Sequence, residues 1–136
     1  QALAKIALEE ILEEAAVRGR WSDPVFRQAA ARLHTDVEIM RLLNLGTLTR
    51  MGRGEVPGAE TSIVKEHWSR LVQGLGDLSL QVQGAAGQLR HASAHSPGGG
   101  RFMQRMLFSR AATIAGGTSE IQKNIIAQRL LGLPRT

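Results

Sequence analysis

The chain has 136 residues, of which 43% are hydrophobic and none is cysteine, so it is long enough to bury a core, while a disulfide framework and a thiolate zinc site are excluded. Such a composition leaves the compartment open and favours the cytoplasm. The formal net charge of +5 lies in residues 78–136, where seven basic side chains face one acid, Glu120; this favours an anionic partner, either nucleic acid or a phosphate-bearing cofactor, or else a solvated basic face.

The first predicted element is an amphipathic helix from Leu3 to Val17. Its apolar positions follow the spacing i, i+3, i+4, i+7 and i+8: Leu8, Ile11, Leu12, Ala15 and Ala16. Four glutamates interrupt the apolar runs, so the segment is neither a signal sequence nor a membrane span. The helical pattern includes the first residue, which is not methionine, and this suggests a fragment of a longer protein.

A second helix is predicted to start at Pro24, since Asp23 is a good N-cap and proline is favoured at the first helical position. One face stays apolar from Phe26 to Met40. The pattern fades only near Gly52, which gives a helix of roughly 40 Å at 1.5 Å per residue. The segment GRGEVPG, residues 52–58, predicts a loop.

Helical spacing resumes from Ile63 to Val82 and predicts a third long helix. Several glycines fall in or near its C-terminal half: Gly74, Gly76, Gly84 and Gly87. Each would cost about 1 kcal/mol relative to alanine inside a helix. Close packing or a nearby ligand would explain them, and fraying of the helix end is the equally weighted alternative.

The segment HASAHSPGGGR, residues 91–101, predicts a flexible connector, and residues 102–114 then predict a helix. No stretch alternates with period two, so no sheet is expected. The predicted fold is all-α: an antiparallel bundle of long helices forming a single domain over residues 1–136.

A final helix is predicted after Gly116 and Gly117, with Thr118 as its cap and Glu120 in its first turn. Gly132 and the following Pro134 end it. Its predicted apolar side consists of Ile121, Ile125, Ile126 and Leu130.

Three segments, in the right order along the whole chain, resemble the C-terminal domain of acyl-CoA dehydrogenases. The run AGGTSEIQKNIIAQRLLGLPR, residues 115–135, is very similar to the C-terminal signature of that family. QVQGAAG, residues 81–87, resembles the family's Gln-x-x-Gly-Gly-x-Gly segment, with Ala85 in place of one glycine. VRGRWSDP, residues 17–24, lies where the family has Arg-x-Phe-Gly, and the arginine is Arg18 or Arg20.

The resemblance implies FAD as cofactor, bound across a dimer interface so that each C-terminal domain serves a neighbour's flavin. By position, Arg20 would contact the pyrophosphate, the segment from Gln81 to Gly84 the adenosine diphosphate part, and residues 117–120 the flavin, through Gly117, Thr118 and Glu120. Glycines let a backbone approach a cofactor, arginine pairs with phosphate, and free N–H groups at a helix start favour an anion.

The implied reaction is α,β-dehydrogenation of an acyl-CoA thioester in fatty acid and lipid metabolism, with an electron-transfer flavoprotein as electron acceptor. A carboxylate removes the α-proton while flavin accepts a hydride from the β-carbon, and many members place that glutamate immediately before the Gly-Thr of the signature. Gly116 stands there, so no catalytic residue is assigned. The isolated chain is expected to be inactive.

The base then comes from one of two places. Other family members carry it on the first helix of this domain, in a stretch that would precede Gln1; alternatively, the chain belongs to a non-catalytic subunit of a mixed assembly and a related subunit supplies the base. The glutamates of the first helix are expected to form a solvated face with i,i+4 pairs: Glu9, Glu10, Glu13 and Glu14. Homo-oligomers and hetero-oligomers, and fatty, branched and steroid side-chain acyl groups, all stay open.

Other classes of function have less support in the residues. His91 and His95 could share a helix face but lack the acid of a zincin motif, so no metal site is expected. His34 and His67 are expected to be partly buried and structural. A basic helical module that binds nucleic acid or protein is the alternative from another class; its basic residues are spread over several helices and few aromatics are present, so nucleic acid is not expected.

Overall fold

The computed structural model describes residues 2–90 and 93–135, and these segments contain helices and turns but no strand. This confirms the all-α prediction. The five α-helices are α1 (Ala2–Val17), α2 (Pro24–Gly52), α3 (Thr61–Gln83), α4 (Arg101–Ala111) and α5 (Ser119–Ile125). Short 3₁₀ turns lie at Arg20–Ser22, Gly84–Gln88 and Pro97–Gly100.

The two predicted helix caps are confirmed. The Asp23 carboxylate accepts hydrogen bonds from the backbone N–H groups of Val25, at 2.9 Å, and Phe26, at 3.4 Å. The Thr118 hydroxyl oxygen accepts one from the N–H of Ile121 at 3.4 Å. Both satisfy donors that a helix start leaves without partners, and so fix where α2 and α5 begin.

Helix α3 lies at the centre of the bundle and contacts all four other helices. It runs antiparallel to α2 and to α4, and its apolar face meets those of α1 and α2. The shared core is aliphatic, with one aromatic ring and a methionine: Ala4, Leu8, Ile11, Ala15, Phe26, Ala30, Leu33, Val37, Met40, Leu71, Leu75, Leu78 and Val82. Burial of this surface is the main source of stability.

Two glycines of α3 explain how neighbouring helices come so close. A Cβ built on Gly74 would lie 2.6 Å from a methyl carbon of Leu33 on α2, and one on Gly76 would lie 3.0 Å from the Cα of Met106 on α4. Close packing, one of the reasons expected from the sequence, therefore holds for both. Gly84 and Gly87 lie beyond the end of α3 at Gln83. Gly87 is buried and is also closely packed, since a Cβ built on it would lie 2.9 Å from that of Gln83, whereas Gly84 is exposed.

Polar contacts join the helices outside the apolar core. The buried Ser69 hydroxyl donates to the Ala112 carbonyl at 2.8 Å, which ties α3 to the end of α4. Glu10 on α1 pairs with Arg101 at 2.7 Å and with Arg105 at 2.5 Å. Arg110 on α4 pairs with Asp77 on α3. Three of the basic residues that gave residues 78–136 their positive charge are thus paired with acids of the other helices.

Several details of the predicted elements were wrong. Helix α4 ends at Ala111, before the expected Ile114, and the chain beyond α5 continues as one π turn, Ile126–Leu130. The buried residue of α5 is Gln122, whereas Ile121 is exposed. The amide of Gln122 donates to the Gly116 carbonyl at 2.8 Å, and that bond turns it inward.

The close approach at Gly76 gives a stability test. Replacing Gly76 by alanine is expected to lower the free energy of unfolding by about 2 kcal/mol, because the new methyl group meets α4 backbone that cannot move aside. Gly46→Ala is the matched control: nothing lies within 4 Å of a Cβ there, and alanine should stabilise α2 by up to about 1 kcal/mol. Urea unfolding of the purified protein measures both, and equal effects would contradict this packing.

Candidate functional site

The connection between α1 and α2 presents Arg20 with unused donors. Gly19, with φ +65°, turns the chain, and Arg20 opens the following 3₁₀ turn. The only carboxylate near its guanidinium within the described residues is that of Asp23, 3.7 Å away. Its Nε atom is buried and has no hydrogen-bond partner among those residues. The side chain as a whole is 39% exposed, so the other donors of its guanidinium can reach an acceptor from outside the domain.

Arg18, the other candidate in this segment, is already engaged. Its Nε donates to Glu14 at 2.6 Å, and this bond is the largest of the effects that lower the pKa of Glu14 below its ordinary value. An arginine held in an i,i+4 pair on its own helix has fewer donors for a ligand. The geometry therefore favours Arg20 over Arg18.

The C-terminal end of α3 lies at the same end of the bundle. The Gln83 side chain is close enough to Glu14 to contribute to its lowered pKa, which places the end of α3 beside the end of α1. Gln81 and Gly84 are exposed. Gly84 has φ +60° and ψ −143°, and nothing lies within 4 Å of a Cβ built on it. The backbone there is open to a ligand and has a conformation that other residues rarely adopt. Arg20 and residues 81–84 are called the arginine end.

The residues predicted to meet the flavin lie in the turn between α4 and α5. Gly116 and Gly117 both have positive φ, +71° and +100°. The Thr118 side chain is half-buried and caps α5, and Glu120 is exposed. The backbone N–H of Glu120 and the Thr118 hydroxyl lower the pKa of the Glu120 carboxyl, so it is charged at neutral pH. Residues 116–120 are called the threonine end.

The two ends are far apart. Lys65, near the start of α3, donates from Nζ to the Gly117 carbonyl at 2.5 Å, so the threonine end lies beside the beginning of that helix, whereas Gln81 lies near its end. This separation of 16 positions along the helix spans roughly 24 Å at 1.5 Å per residue. The structure therefore brings together Arg20 with residues 81–84, and Gly117 with Thr118 and Glu120, but does not unite the two groups.

Gly116 offers no proton acceptor, and the carboxylates near the turn are otherwise engaged. Burial raises the pKa of Glu66, but the Ser119 hydroxyl and the Arg70 guanidinium outweigh it and lower the pKa below the ordinary value. On α1, Glu9 pairs with Lys5, at 3.8 Å, as part of a solvated face. Glu14 pairs with Arg18 in the expected i,i+4 manner. The same expectation was wrong for Glu10, which is half-buried and pairs with Arg101 and Arg105 of α4.

Lys65, Glu66 and Gln122 were missed by the sequence analysis, although all three contact the threonine end. Lys65 and Gly117 are 52 positions apart, and no local pattern links them. Glu66 and Gln122 are polar residues at positions where an amphipathic helix would normally bury apolar ones. Polar residues on an otherwise apolar face are the one signal in the sequence that could have indicated them.

The histidines are separate from both ends. His67 is half-buried and its Nε2 lies 2.7 Å from the Asp36 carbonyl oxygen, as expected of a structural residue. His34 is exposed, so the same expectation was wrong for it. His95 is exposed, and His91 lies outside the described residues. Within residues 2–90 and 93–135, no helix combines the length and the apolar character that crossing a membrane requires.

Comparison with protein families gives a match over nearly the whole chain. The family described as acyl-CoA dehydrogenase, C-terminal domain, matches residues 1–131. Acyl-CoA dehydrogenase IpdE1 of Mycolicibacterium smegmatis is 36% identical over 125 residues, which cover 92% of this chain and 30% of that protein. Acyl-CoA dehydrogenase FadE26 of Mycobacterium tuberculosis is 31% identical over 108 residues, covering 77% of this chain and 27% of the relative.

Solved structures show the same arrangement of helices. The Tcur3481-Tcur3483 steroid ACAD superposes with a TM-score of 0.87 at 26% identity, and the ChsE4-ChsE5 complex from Mycobacterium tuberculosis with 0.81 at 28%. Each comparison covers 98% of this chain and 35% of the other. The chain thus spans about a third of the length of the proteins that it matches.

The two adjacent glycines of the threonine end, Gly116 and Gly117, differ in the space available for a Cβ atom. Gly117→Ala is expected to lower the free energy of unfolding by about 2 kcal/mol, since φ is +100° and the new Cβ would lie 2.7 Å from the Gln122 amide nitrogen. Gly116→Ala, with nothing closer than 4.0 Å, should cost about 1 kcal/mol from the backbone alone. Urea unfolding of both variants tests this order, and a reversed order would contradict it.

Proposed function

We propose, from the premise that this chain belongs to the acyl-CoA dehydrogenase family, that residues 1–136 form a C-terminal domain that contacts FAD and joins subunits. The reaction of the whole protein is then the removal of hydrogen from the α and β carbons of an acyl-CoA thioester. The chain spans about a third of its relatives, so the activity, substrate and partners of the whole belong to this proposal.

The arginine end carries the proposal. The Arg20 side chain is 39% exposed and lies 3.7 Å from the Asp23 carboxylate, beyond hydrogen-bond distance, and Gly84 opens the backbone at the same end of the bundle. A guanidinium with spare donors pairs with phosphate through charge-assisted hydrogen bonds, and a glycine lets the chain lie against a nucleotide. These residues fit the pyrophosphate and adenosine part of FAD.

The threonine end would meet the flavin through Gly117, Thr118 and Glu120. It lies roughly 24 Å from the arginine end along α3 at 1.5 Å per residue. In one FAD the pyrophosphate and the flavin ring are joined only by a ribityl chain, which is too short for this separation, so one domain would contact two cofactors. This places each FAD between subunits, so that flavin binding and subunit association support one another.

Bound FAD would supply the hydride acceptor of the reaction. The proton must go to a carboxylate, and Gly116 cannot take it. We propose that the base lies on a segment preceding this chain or on a related subunit. The ChsE4-ChsE5 complex is an assembly of two different components, which supports a mixed assembly as the form to test. An electron-transfer flavoprotein would reoxidise the flavin, and we propose a cytoplasmic location.

The acyl group is a second part of the proposal. One similar structure is named a steroid ACAD, which makes a thioester with a steroid-derived acyl group a candidate beside straight fatty acyl-CoA. The nucleic-acid alternative loses its main support because Arg101, Arg105 and Arg110 are paired with carboxylates, and paired cations contribute little to a phosphate-binding field.

The full-length gene product, purified alone and after co-expression with a related subunit, tests the proposal. Flavin absorption is expected in the purified protein, and it should bleach on adding an acyl-CoA substrate, steroid-derived or straight-chain. Bleaching only with the second subunit would assign the base to that subunit. Protein that neither retains nor binds added FAD in either preparation would overturn the proposal.

Arg20→Ala should weaken FAD binding by about tenfold or more, because a charge-assisted hydrogen bond contributes about 1.5–3 kcal/mol. Arg32→Ala is the matched control, since Arg32 is exposed along α2 and loses the same charge. Titration of FAD into flavin-free full-length protein measures both Kd values. Equal affinity in the two variants would contradict the role of Arg20.

A further inference from the structure

Two neighbouring residues of α3, Lys65 and Glu66, both reach the threonine end. The Lys65 amine donates to the Gly117 carbonyl at 2.5 Å, from half-buried surroundings. Glu66 is buried, 8% exposed, and its carboxylate lies beside the Ser119 hydroxyl while pairing with Arg70 at 2.8 Å. Side chains of α3 thus contact the turn on both sides of Thr118, at Gly117 and at Ser119.

The turn at Gly116 and Gly117 has no side chains of its own to restrict its backbone conformation. Gly116 and Gly117 are adjacent, and both occupy the left-handed side of backbone space, where glycine has many accessible conformations. Side chains from elsewhere fix the direction of both peptide groups: Gln122 donates to the Gly116 carbonyl and Lys65 to that of Gly117. Of these two hydrogen bonds, the one from Lys65 connects the turn to α3, whereas Gln122 belongs to α5, which directly follows the turn.

We propose that Lys65 is a positioning residue for the flavin-facing turn, holding the Gly117 carbonyl so that Thr118 and the start of α5 are aligned before the cofactor arrives. This inference rests on the proposed function. Fixing a binding group in advance removes part of the entropy cost of binding, so the effect of Lys65 appears as cofactor affinity although Lys65 itself need not touch the cofactor.

The remainder of the side chain is consistent with this role. Its Cε lies 4.0 Å from the place where a Cβ would stand on Gly116, so the stem covers the turn. Its positive charge contributes to the lowered pKa of Glu120 in the first turn of α5. Lys65 is absent from the aliphatic core that α3 shares with α1 and α2, which allows its amine to be removed while that core is kept.

Lys65→Met in the full-length protein tests the inference, because methionine keeps an unbranched stem of similar length but has no donor. Lys5→Met is the matched control: Lys5 is exposed on α1 and pairs with Glu9 at 3.8 Å, away from the threonine end. Lys65→Arg, which retains donors, serves as the conservative variant. Two readouts are needed: the Kd for FAD, and amide hydrogen exchange of residues 116–119 in the flavin-free protein.

Lys65→Met is expected to bind FAD about tenfold more weakly, as loss of one charge-assisted bond implies, and to exchange faster in the turn, with the midpoint of thermal unfolding kept within about 3 °C. Lys65→Arg should recover part of the affinity, and Lys5→Met should match the wild type.

Three results would overturn the inference: unchanged affinity and exchange in Lys65→Met, an equal loss of affinity in Lys5→Met, or loss of affinity only together with a large drop in thermal stability. A wild-type protein that binds no FAD would instead refute the proposed function. The exchange readout still tests the contact between Lys65 and the turn in that case, so the two failures can be told apart.

Discussion

The close approach of α3 to its neighbours is the constraint on which the rest of the structure depends. Gly74 lets α2 approach α3, and Gly76 lets α4 approach it, so closely that a Cβ at either position would collide with the neighbouring helix. Because α3 packs against the other helices, it also buries polar residues: the Ser69 hydroxyl donates to the Ala112 carbonyl at the end of α4, and Glu66 pairs with Arg70 on α3 itself. The same helix therefore sets the packing of the bundle and supplies the contacts that shape its ends.

That arrangement separates two surfaces by the length of one helix. The arginine end has a partly exposed guanidinium, and the threonine end has a two-glycine turn held by side chains of α3 and α5. Neither surface encloses a ligand alone. Each surface would supply part of a cofactor site that other domains or subunits complete. This agrees with the family of the chain and with the two-component complex among its structural relatives.

The sequence predicted the parts of this structure that depend on near neighbours. The caps at Asp23 and Thr118 each involve atoms within three residues, and the core face of α2 follows directly from apolar spacing. The contact between Lys65 and Gly117 could not be predicted, because it joins residues 52 positions apart through a helix whose neighbours only the fold defines. The burial of Gln122 was missed for a different reason: its amide bonds to the Gly116 carbonyl, six positions earlier, and that bond depends on the conformation of the two-glycine turn, which apolar spacing does not indicate.

A structure of the full-length protein with FAD bound would test the central claim most directly, at a resolution that shows the pyrophosphate. The two-ended arrangement predicts the Arg20 guanidinium within hydrogen-bond distance of the pyrophosphate of one FAD, and Thr118 against the flavin of a second FAD, roughly 24 Å away along α3 at 1.5 Å per residue. FAD bound with Arg20 and Thr118 both turned to solvent would contradict it, because both proposed contact surfaces would then lie outside the cofactor site.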